Sequence, residues 1–244
     1  MTGLPRHGPT PSAAVPSAGP PVIVSRLRLS IRESEVLHFL GYPKGRRPAT
    51  RLEPLLKDVL REARSLAAAR GGFRRLPVSS AAEVGLPSED ADGLVLGLVT
   101  AGDGIERRVT ELLGQGEDSR ALLLDAAGSA AAEEAANRLS ARVVGARTNG
   151  DLDVGCRVSP GYGRWPLSAQ EALFARLPHD AVGVSLNSSM MMVPRKSISF
   201  ALWIGARGAP RSGLSGCDTC GLPECRYRRP AKGGASRSSR EVTS

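Results

Sequence analysis

The sequence lacks any apolar run approaching the roughly 18 residues that a membrane-spanning helix needs. It also lacks the apolar core of a secretion signal, since Met1 to Arg6 lead into Pro, Ser and Ala. Only 4 cysteines occur in 244 residues, too few for a disulfide scaffold in a chain of this length. We therefore expect a globular protein of the cytoplasm, with no membrane partner.

Motifs of several common enzyme chemistries are absent as well. The chain contains neither a Gly-x-Ser-x-Gly nucleophile elbow nor a phosphate-binding glycine loop ending in Gly-Lys-Ser/Thr. Its three histidines, His7, His38 and His179, are scattered along the chain. The sequence therefore predicts no nucleophile, base and acid acting together, and we assign it no catalytic residue.

The formal net charge of +9 is concentrated at one end of the chain. From Arg226 onward, six basic residues stand against one acidic residue, so more than half of the excess lies in a Gly/Ser-rich tail. Aromatic residues make up only 4% of the chain and are not interleaved with basic ones, as single-strand binding requires. Such a tail is typical of a solubility or weak-contact element, and we expect no specific nucleic-acid partner.

Composition divides the chain into four parts. Residues 1–21 are rich in Pro, Ala, Gly and Ser and predict a disordered tail, because they offer too little apolar surface to bury. Residues 22–210 have the periodic apolar pattern of one domain. A Cys-rich segment follows at 211–229, and residues 230–244 predict a disordered basic tail.

The body mixes helical and extended patterns without regular alternation. Spacing of apolar residues predicts helices at 33–40, from 52 to Gly71-Gly72, and at 105–113, 119–143 and 168–177. Extended segments are predicted at 23–31, 94–100, 154–158, 182–187 and 197–205. The Ala-rich pattern over 119–143 predicts a helix of about 40 Å, whose small residues let a backbone or a ligand approach closely. The later strands are separated by too little chain for helical crossovers, so the fold class is α+β: a mainly antiparallel twisted sheet flanked by helices.

Two segments have residue choices too particular for generic structure. Residues 157–167 read Arg-Val-Ser-Pro-Gly-Tyr-Gly-Arg-Trp-Pro-Leu, and residues 186–199 read Leu-Asn-Ser-Ser-Met-Met-Met-Val-Pro-Arg-Lys-Ser-Ile-Ser. The first resembles the Arg-x-x-x-Gly-Tyr signature of the S-adenosylmethionine-binding activation, or reactivation, domain of cobalamin-dependent methionine synthase. The second is similar to that family's Leu-Thr-Glu-Ser…Met…Pro…Ser-Val-Ser stretch, with Asn187 and Ser188 in place of Thr and Glu. The resemblance spans roughly residues 30–205 and rests mainly on those from 119 onward.

This resemblance implies an S-adenosylmethionine site that includes Arg157, Ser159, Gly161 and Tyr162. The residue types suit the ligand, because an arginine binds a carboxylate through two charge-assisted hydrogen bonds. Gly161 lets the backbone approach the ligand, and Tyr162 offers a ring face and a hydroxyl. The alternative is that Pro160-Gly161 is only a turn, with Arg157 a solvated strand residue and Tyr162 at the edge of the core.

The resemblance also places ligand contacts on Glu133 in the long helix and on the main chain of Leu202 and Trp203. Asp125 lies eight residues before Glu133, close to two helical turns, so the two carboxylates share a face. An ordinary exposed helix glutamate is the alternative interpretation of Glu133. For Met190-Met191-Met192 we favour soft packing over a cofactor-facing role.

Three of the cysteines, Cys217, Cys220 and Cys225, form a Cys-x-x-Cys-x₄-Cys segment bounded by Gly and Pro. This spacing is suited to an iron-sulfur cluster or to zinc but supplies only three ligands. Cys156 is a candidate for the fourth ligand, although a distant cysteine is more often a small apolar core residue. Free thiols or an intersubunit site are the alternatives, and the segment lies beyond the resemblance to the methionine synthase domain.

Together these features predict a stand-alone reactivation subunit, acting as part of a methionine synthase, that binds S-adenosylmethionine and supports reductive methylation of oxidised cobalamin. The chain has no Asp-x-His-x-x-Gly cobalamin motif and is too short for folate and homocysteine barrels, so the cobalamin must be carried by a partner. The expected partners are methionine synthase subunits or another corrinoid-binding methyltransferase, and a reductant protein. The alternatives are reactivation of a different corrinoid protein, or a non-catalytic metal-binding interaction module.

Overall fold

The computed structural model describes residues 18–43, 45–87, 90–145, 155 and 157–205. Its strands are β1 (Val22–Val24), β2 (Arg70–Leu76), β3 (Gly93–Thr100), β4 (Ser185–Leu186), β5 (Met192–Val193) and β6 (Ser197–Ile204). Its α-helices are α1 (Glu33–Phe39), α2 (Glu53–Leu66), α3 (Gly104–Gly114), α4 (Asp118–Gly145), α5 (Ala169–Phe174) and α6 (His179–Val182). Two 3-10 helices cover Thr50–Leu52 and Val78–Val84.

The main sheet has the strand order β1-β2-β3-β6, and every neighbouring pair is antiparallel. The strand β3 is buried along its whole length, which agrees with its unbroken apolar sequence. A separate hairpin pairs β4 with β5. The predicted α+β class, with a mainly antiparallel sheet flanked by helices, is confirmed.

The two faces of the sheet carry separate cores. On one face, Phe200, Leu202 and Ile204 of β6 pack with Ala135, Ala136 and Leu139 of α4. On the other face, Ala201 and Trp203 pack with α5, α6 and the 3-10 helix at Val78–Val84. Alternate residues of a strand point to opposite faces, so β6 contributes to both cores. The N-terminal half of α4 packs with α1, α2 and α3 in a third cluster.

The helices α2, α3 and α4 are joined by one carboxylate. Glu62 of α2 accepts hydrogen bonds from Arg108 Nε of α3 at 2.8 Å and from Arg120 Nη2 of α4 at 2.7 Å. Burial raises the pKa of the Glu62 carboxyl, but the hydrogen bonds and charges of Arg120 and Arg108 outweigh burial and hold that pKa below its ordinary value. An ionised Glu62 therefore ties the three helices together.

The prediction of a helix from residue 52 to Gly71-Gly72 is wrong beyond Leu66. The helix α2 ends at Leu66, and Arg70–Leu76 is the strand β2. Alanine favours helix locally, but Ala68 N donates to Ala101 O at 2.8 Å, which turns the chain into the sheet. A Cβ on Gly71 would meet Leu98 O and Val99 of β3 as well as Leu139 of α4, and one on Gly72 would meet Pro178 and Val182. These glycines therefore admit the neighbouring strand and let helices pack closely on both faces of β2.

Other elements are shorter than the sequence predicts. The extended segment at 23–31 forms ladder pairs only over Val22–Val24, an edge strand. Val158 makes an isolated bridge to Ala201 in place of a strand at 154–158, although residues 154 and 156 lie outside the described part. Val182 ends α6, so the strand predicted at 182–187 reduces to Ser185–Leu186. Across the described residues, none of the helices has the length and apolar character to cross a membrane.

Candidate functional site

The helix α4 carries a row of four polar residues, here called the polar stripe, among buried alanines. Asp125, Ser129, Glu133 and Asn137 follow one another at intervals of four residues, and such residues lie on one face. Alanines on either side of the stripe are buried: Ala126, Ala127, Ala130, Ala131, Ala132, Ala135 and Ala136. Two cationic side chains contact this stripe.

The first cation is the guanidinium of Arg157, which is only 7% exposed. Its Nη2 donates to Glu133 Oε1, and its Nη1 donates to Asn137 Oδ1 at 3.2 Å. The structure thus brings together two of the residues that the sequence singled out, Arg157 and Glu133, as a largely buried ion pair. Breaking such a pair by removing one partner is costly because the other charge stays buried. The alternative interpretation of Arg157 as a solvated strand residue is wrong.

An aromatic ring supports the same guanidinium. Arg157 Cζ lies 5.7 Å from the ring centroid of Phe200 on β6, within the range of a cation–π interaction. Phe200 pairs with Gly97 of β3, and a Cβ at Gly97 would overlap the Phe200 ring. The glycine therefore makes room for the ring that lies beside Arg157.

The second cation is Lys196, immediately before β6. Its Nζ lies 2.8 Å from Asp125 Oδ1 and 3.0 Å from Ser129 Oγ, and its main-chain N donates to Glu106 Oε1 at 2.6 Å. A Cβ at Gly128 would crowd the aliphatic part of Lys196, so the glycine in the long helix admits this side chain. Lys196 and Arg157 occupy opposite halves of the polar stripe.

The segment after Arg157 forms a tight exposed turn. Gly161 has φ +88°, a left-handed conformation that glycine adopts without strain, and its N donates to Trp165 O at 2.8 Å. Trp165 is buried and donates from Nε1 to Val84 O at 2.8 Å, which fixes the turn to the body. Ser159 is half-buried, and Tyr162 is 67% exposed. The turn therefore presents the Tyr162 ring to solvent beside the buried Arg157.

The second singled-out segment, residues 186–199, packs against α5. Asn187 Oδ1 accepts from the main chain of Ser189 and Met191, each at 2.9 Å, and closes a loop. Gln170 of α5 donates to Met190 O at 2.6 Å and accepts from Ser199 Oγ at 3.0 Å. The buried Gln170 thus holds two points of the second segment, Met190 and Ser199, to α5.

The two remaining predicted contacts, Leu202 and Trp203, lie in β6 and are 0% and 6% exposed. Their side chains belong to the two cores on opposite faces of the sheet. Trp203 O accepts from Gly155 N at 2.9 Å, so that carbonyl is already engaged along the chain that leads to Arg157. The Trp203 carbonyl thus holds the chain just before Arg157 against the sheet, and Leu202 contributes to the core.

Sequence reasoning did not identify Asn137, Phe200 or Lys196 as part of this site. A signal for Asn137 was present, because it follows Glu133 by four residues, as Ser129 follows Asp125. Phe200 and Lys196 carry no comparable local signal, since strand pairing and tertiary packing bring them to the stripe.

The Cys-rich segment at 211–229, with Cys217, Cys220 and Cys225, lies outside the described residues, as does Cys156. Within the described ranges, no group of three or more His, Cys, Asp or Glu side chains is placed to hold a metal ion. The iron-sulfur or zinc site therefore stays a prediction from the sequence.

The fold and site define an antiparallel α+β domain with a long helix whose polar stripe faces a buried arginine. Among solved structures, the fold is similar to that of the MetH reactivation domain bound to AdoHcy, with a TM-score of 0.57 and 17% sequence identity. The match covers 78% of this chain and 80% of that one. The resemblance suggested by the Arg157–Tyr162 segment is thus confirmed for the fold. No family model matches the chain, and no curated protein matches it.

Proposed function

We propose that this chain binds S-adenosylmethionine and serves as a reactivation subunit for a cobalamin-dependent methionine synthase. It would support reductive methylation of oxidised cobalamin that a partner protein carries. The observation that carries the proposal is the buried Arg157–Glu133 pair beside the Gly161-Tyr162 turn, in a fold similar to the MetH reactivation domain bound to AdoHcy.

The chemistry of the donor set fits the amino-acid end of S-adenosylmethionine. That end carries a carboxylate and an ammonium, and the site offers a guanidinium and a carboxylate. An arginine has five N–H donors, and two of those of Arg157 donate to Glu133 and Asn137, so donors remain for the ligand's carboxylate. Arg157 would bind the ligand's carboxylate, and Glu133 would accept from its ammonium or ribose hydroxyls.

The turn after Arg157 fits the rest of the ligand. Gly161 and Gly163 are exposed, and at both positions the absence of a side chain leaves the backbone open to a close approach. Tyr162 would contribute its exposed ring face and hydroxyl. Ser159 would complete the proposed binding set, together with main-chain atoms of Leu202 and Trp203 other than the Trp203 carbonyl, which already accepts from Gly155 N.

When bound, S-adenosylmethionine supplies the methyl group, and this chain's residues hold and orient it. Such a role needs no strong acid or base on the protein, because correct placement of two reactants can supply a large part of the rate. The partner would be a corrinoid-carrying methionine synthase, and a reductant protein would supply the electron.

Two measurements test the proposal. Calorimetry of the purified chain with S-adenosylmethionine should show binding at a single site. In a spectroscopic assay of cobalt methylation on a cognate cobalamin-loaded methionine synthase, the rate should depend on both S-adenosylmethionine and this chain. An identical rate with and without the chain would rule out the reactivation function, even if S-adenosylmethionine binds. If this chain instead speeds cobalt methylation only on a different corrinoid protein, that protein is the partner and methionine synthase is not.

A further inference from the structure

The two hydrogen-bond acceptors that hold Arg157 differ in charge. Glu133 contributes a carboxylate, which balances the guanidinium, whereas Asn137 contributes a neutral amide oxygen at 3.2 Å from Nη1. The ring of Phe200 lies beside the same group. Asn137 thus fixes one nitrogen of the guanidinium without adding a second negative charge near a group that must attract a carboxylate.

The helix itself does not explain an asparagine at this position. Asn137 lies within α4, next to the buried Ala136, and asparagine is a poorer helix former than alanine because its side chain competes for backbone hydrogen bonds. Its side chain is half-buried and points to Arg157, twenty residues further along the chain. Among the described residues, Arg157 is the hydrogen-bond partner of this asparagine side chain.

We propose that Asn137 is a positioning residue for Arg157: it holds the guanidinium in the orientation that binds the carboxylate of the ligand's amino-acid group. This inference rests on the proposed function. Arginine has many rotamers, so a side chain that is already ordered loses less entropy when the ligand binds. Asn137 acts through Arg157 and is not itself required to touch the ligand.

The test uses two probes that differ in the amino-acid group. S-adenosylhomocysteine carries it, 5′-methylthioadenosine lacks it, and both are uncharged at sulfur. In the full-length chain, Asn137→Ala should lower the affinity for S-adenosylhomocysteine about tenfold, the cost of one hydrogen bond to a charged group. The affinity for 5′-methylthioadenosine should change less than about twofold, since that ligand makes no use of Arg157.

A double-mutant cycle provides a second measurement that a purely structural role would not produce. In an Arg157→Ala background, Asn137→Ala should have no further effect on S-adenosylhomocysteine affinity, because its only route to the ligand is gone. Asn137→Leu, which keeps bulk but removes the acceptor, should behave like Asn137→Ala. Arg138→Ala is the matched control, since Arg138 is exposed on the same helix and pairs with Glu134.

The outcomes separate this inference from the proposed function. If the unmodified chain binds neither S-adenosylmethionine nor S-adenosylhomocysteine, the proposed function fails and Asn137 loses its role with it. If the unmodified chain binds both but Asn137→Ala leaves their affinities intact, only the positioning role is overturned. Equal losses for both probes, or additive losses in the cycle, would show that Asn137 supports the fold and does not position Arg157.

Discussion

Phe200 occupies the space that a side chain at Gly97 would fill. The two residues are paired between β3 and β6, and a Cβ added at Gly97 would overlap three atoms of the Phe200 ring. The Arg157 guanidinium lies beside the same ring. A glycine in the most buried strand is therefore linked, through the Phe200 ring, to the position of Arg157, which we propose binds the ligand's carboxylate.

Gly97→Ala should therefore destabilise the protein by about 1–3 kcal/mol, the usual cost of overpacking a core. It should also weaken ligand binding, because the displaced ring no longer supports Arg157. Urea denaturation and calorimetry with S-adenosylhomocysteine measure the two effects. Gly114→Ala is the control: a Cβ there meets nothing within 4 Å, and alanine at the end of α3 should leave stability unchanged or raise it. Equal stabilities for the two variants would contradict the packing argument.

Arg157→Ala tests directly whether Arg157 binds the ligand's carboxylate. Loss of a bidentate, charge-assisted contact should reduce S-adenosylmethionine affinity by about 2–3 kcal/mol, and the unpaired Glu133 should lower the free energy of unfolding as well. Titration calorimetry and urea denaturation report the two losses. Arg138→Ala removes a more exposed arginine from an ion pair on α4 and should change neither by much. Unchanged affinity in Arg157→Ala would remove this residue from the site.

Glu62 predicts a pH dependence of stability. Its pKa is lowered in the folded state, so its ionised form stabilises the fold at pH values above 4.5, its ordinary value. That contribution is lost as the pH falls through the lowered, folded-state pKa. Glu62→Gln should therefore cost about 2 kcal/mol at pH 7 and progressively less at lower pH.

Urea denaturation of both proteins between pH 7 and pH 3 checks this sign. Glu83→Gln removes an exposed partner of Arg176 and should have a small effect at every pH, which makes it the matched control. A difference between Glu62→Gln and the unmodified chain that stays constant or grows on acidification would refute the proposed coupling of α2, α3 and α4.

The long helix and the main strands were predictable because their patterns are local. The Ala-rich run predicted α4 nearly to its ends, an unbroken apolar run predicted β3, and the β-branched and aromatic residues after Ser197 predicted β6. The strand β2 was missed because Arg70-Gly71-Gly72 has no alternating apolar pattern. Its two glycines are required by helices that approach from both faces, which only the tertiary structure reveals.

The residues of the candidate site also fall into those that the sequence predicted and those that only the folded chain reveals. Arg157, Gly161 and Tyr162 stand in one short motif, and the resemblance that this motif carries also implied Glu133. Phe200 and Lys196 join the stripe only because β6 lies beside α4 in the folded chain. Helical or strand spacing cannot relate β6 to α4 across so many residues, so these contacts could be found only in the three-dimensional structure.

The Cys-rich segment gives a prediction that rests on the sequence alone. Protein made anaerobically with iron should carry a cluster bound through Cys217, Cys220 and Cys225. The cluster should be visible as the brown colour typical of iron-sulfur clusters with thiolate ligands. Serine at all three positions should abolish it, and Cys156→Ser tests the fourth ligand. Colourless protein with stoichiometric zinc would identify a zinc site instead, and metal-free protein by elemental analysis would refute both.

The last prediction concerns Tyr162, which is 67% exposed at the tip of the turn that follows Arg157. A reactivation subunit must present its ligand to a cobalamin held by another protein, so this turn should lie at or near the contact surface. Tyr162→Ala should then reduce the rate of cobalt methylation at least as strongly as it reduces S-adenosylmethionine affinity, because a small misplacement of two reactants costs rate steeply. Tyr162→Phe keeps the ring and separates the contribution of the hydroxyl.

Calorimetry gives the affinity of each Tyr162 variant, and cobalt methylation at saturating S-adenosylmethionine gives the rate without the binding defect. Leu113→Ala serves as the control, because Leu113 is also exposed, at 55%, but lies on α3, outside the Tyr162 turn. If Tyr162→Ala binds S-adenosylmethionine weakly yet methylates at the full rate once saturated, Tyr162 contacts the ligand only, and the face that meets the corrinoid protein lies elsewhere on the domain.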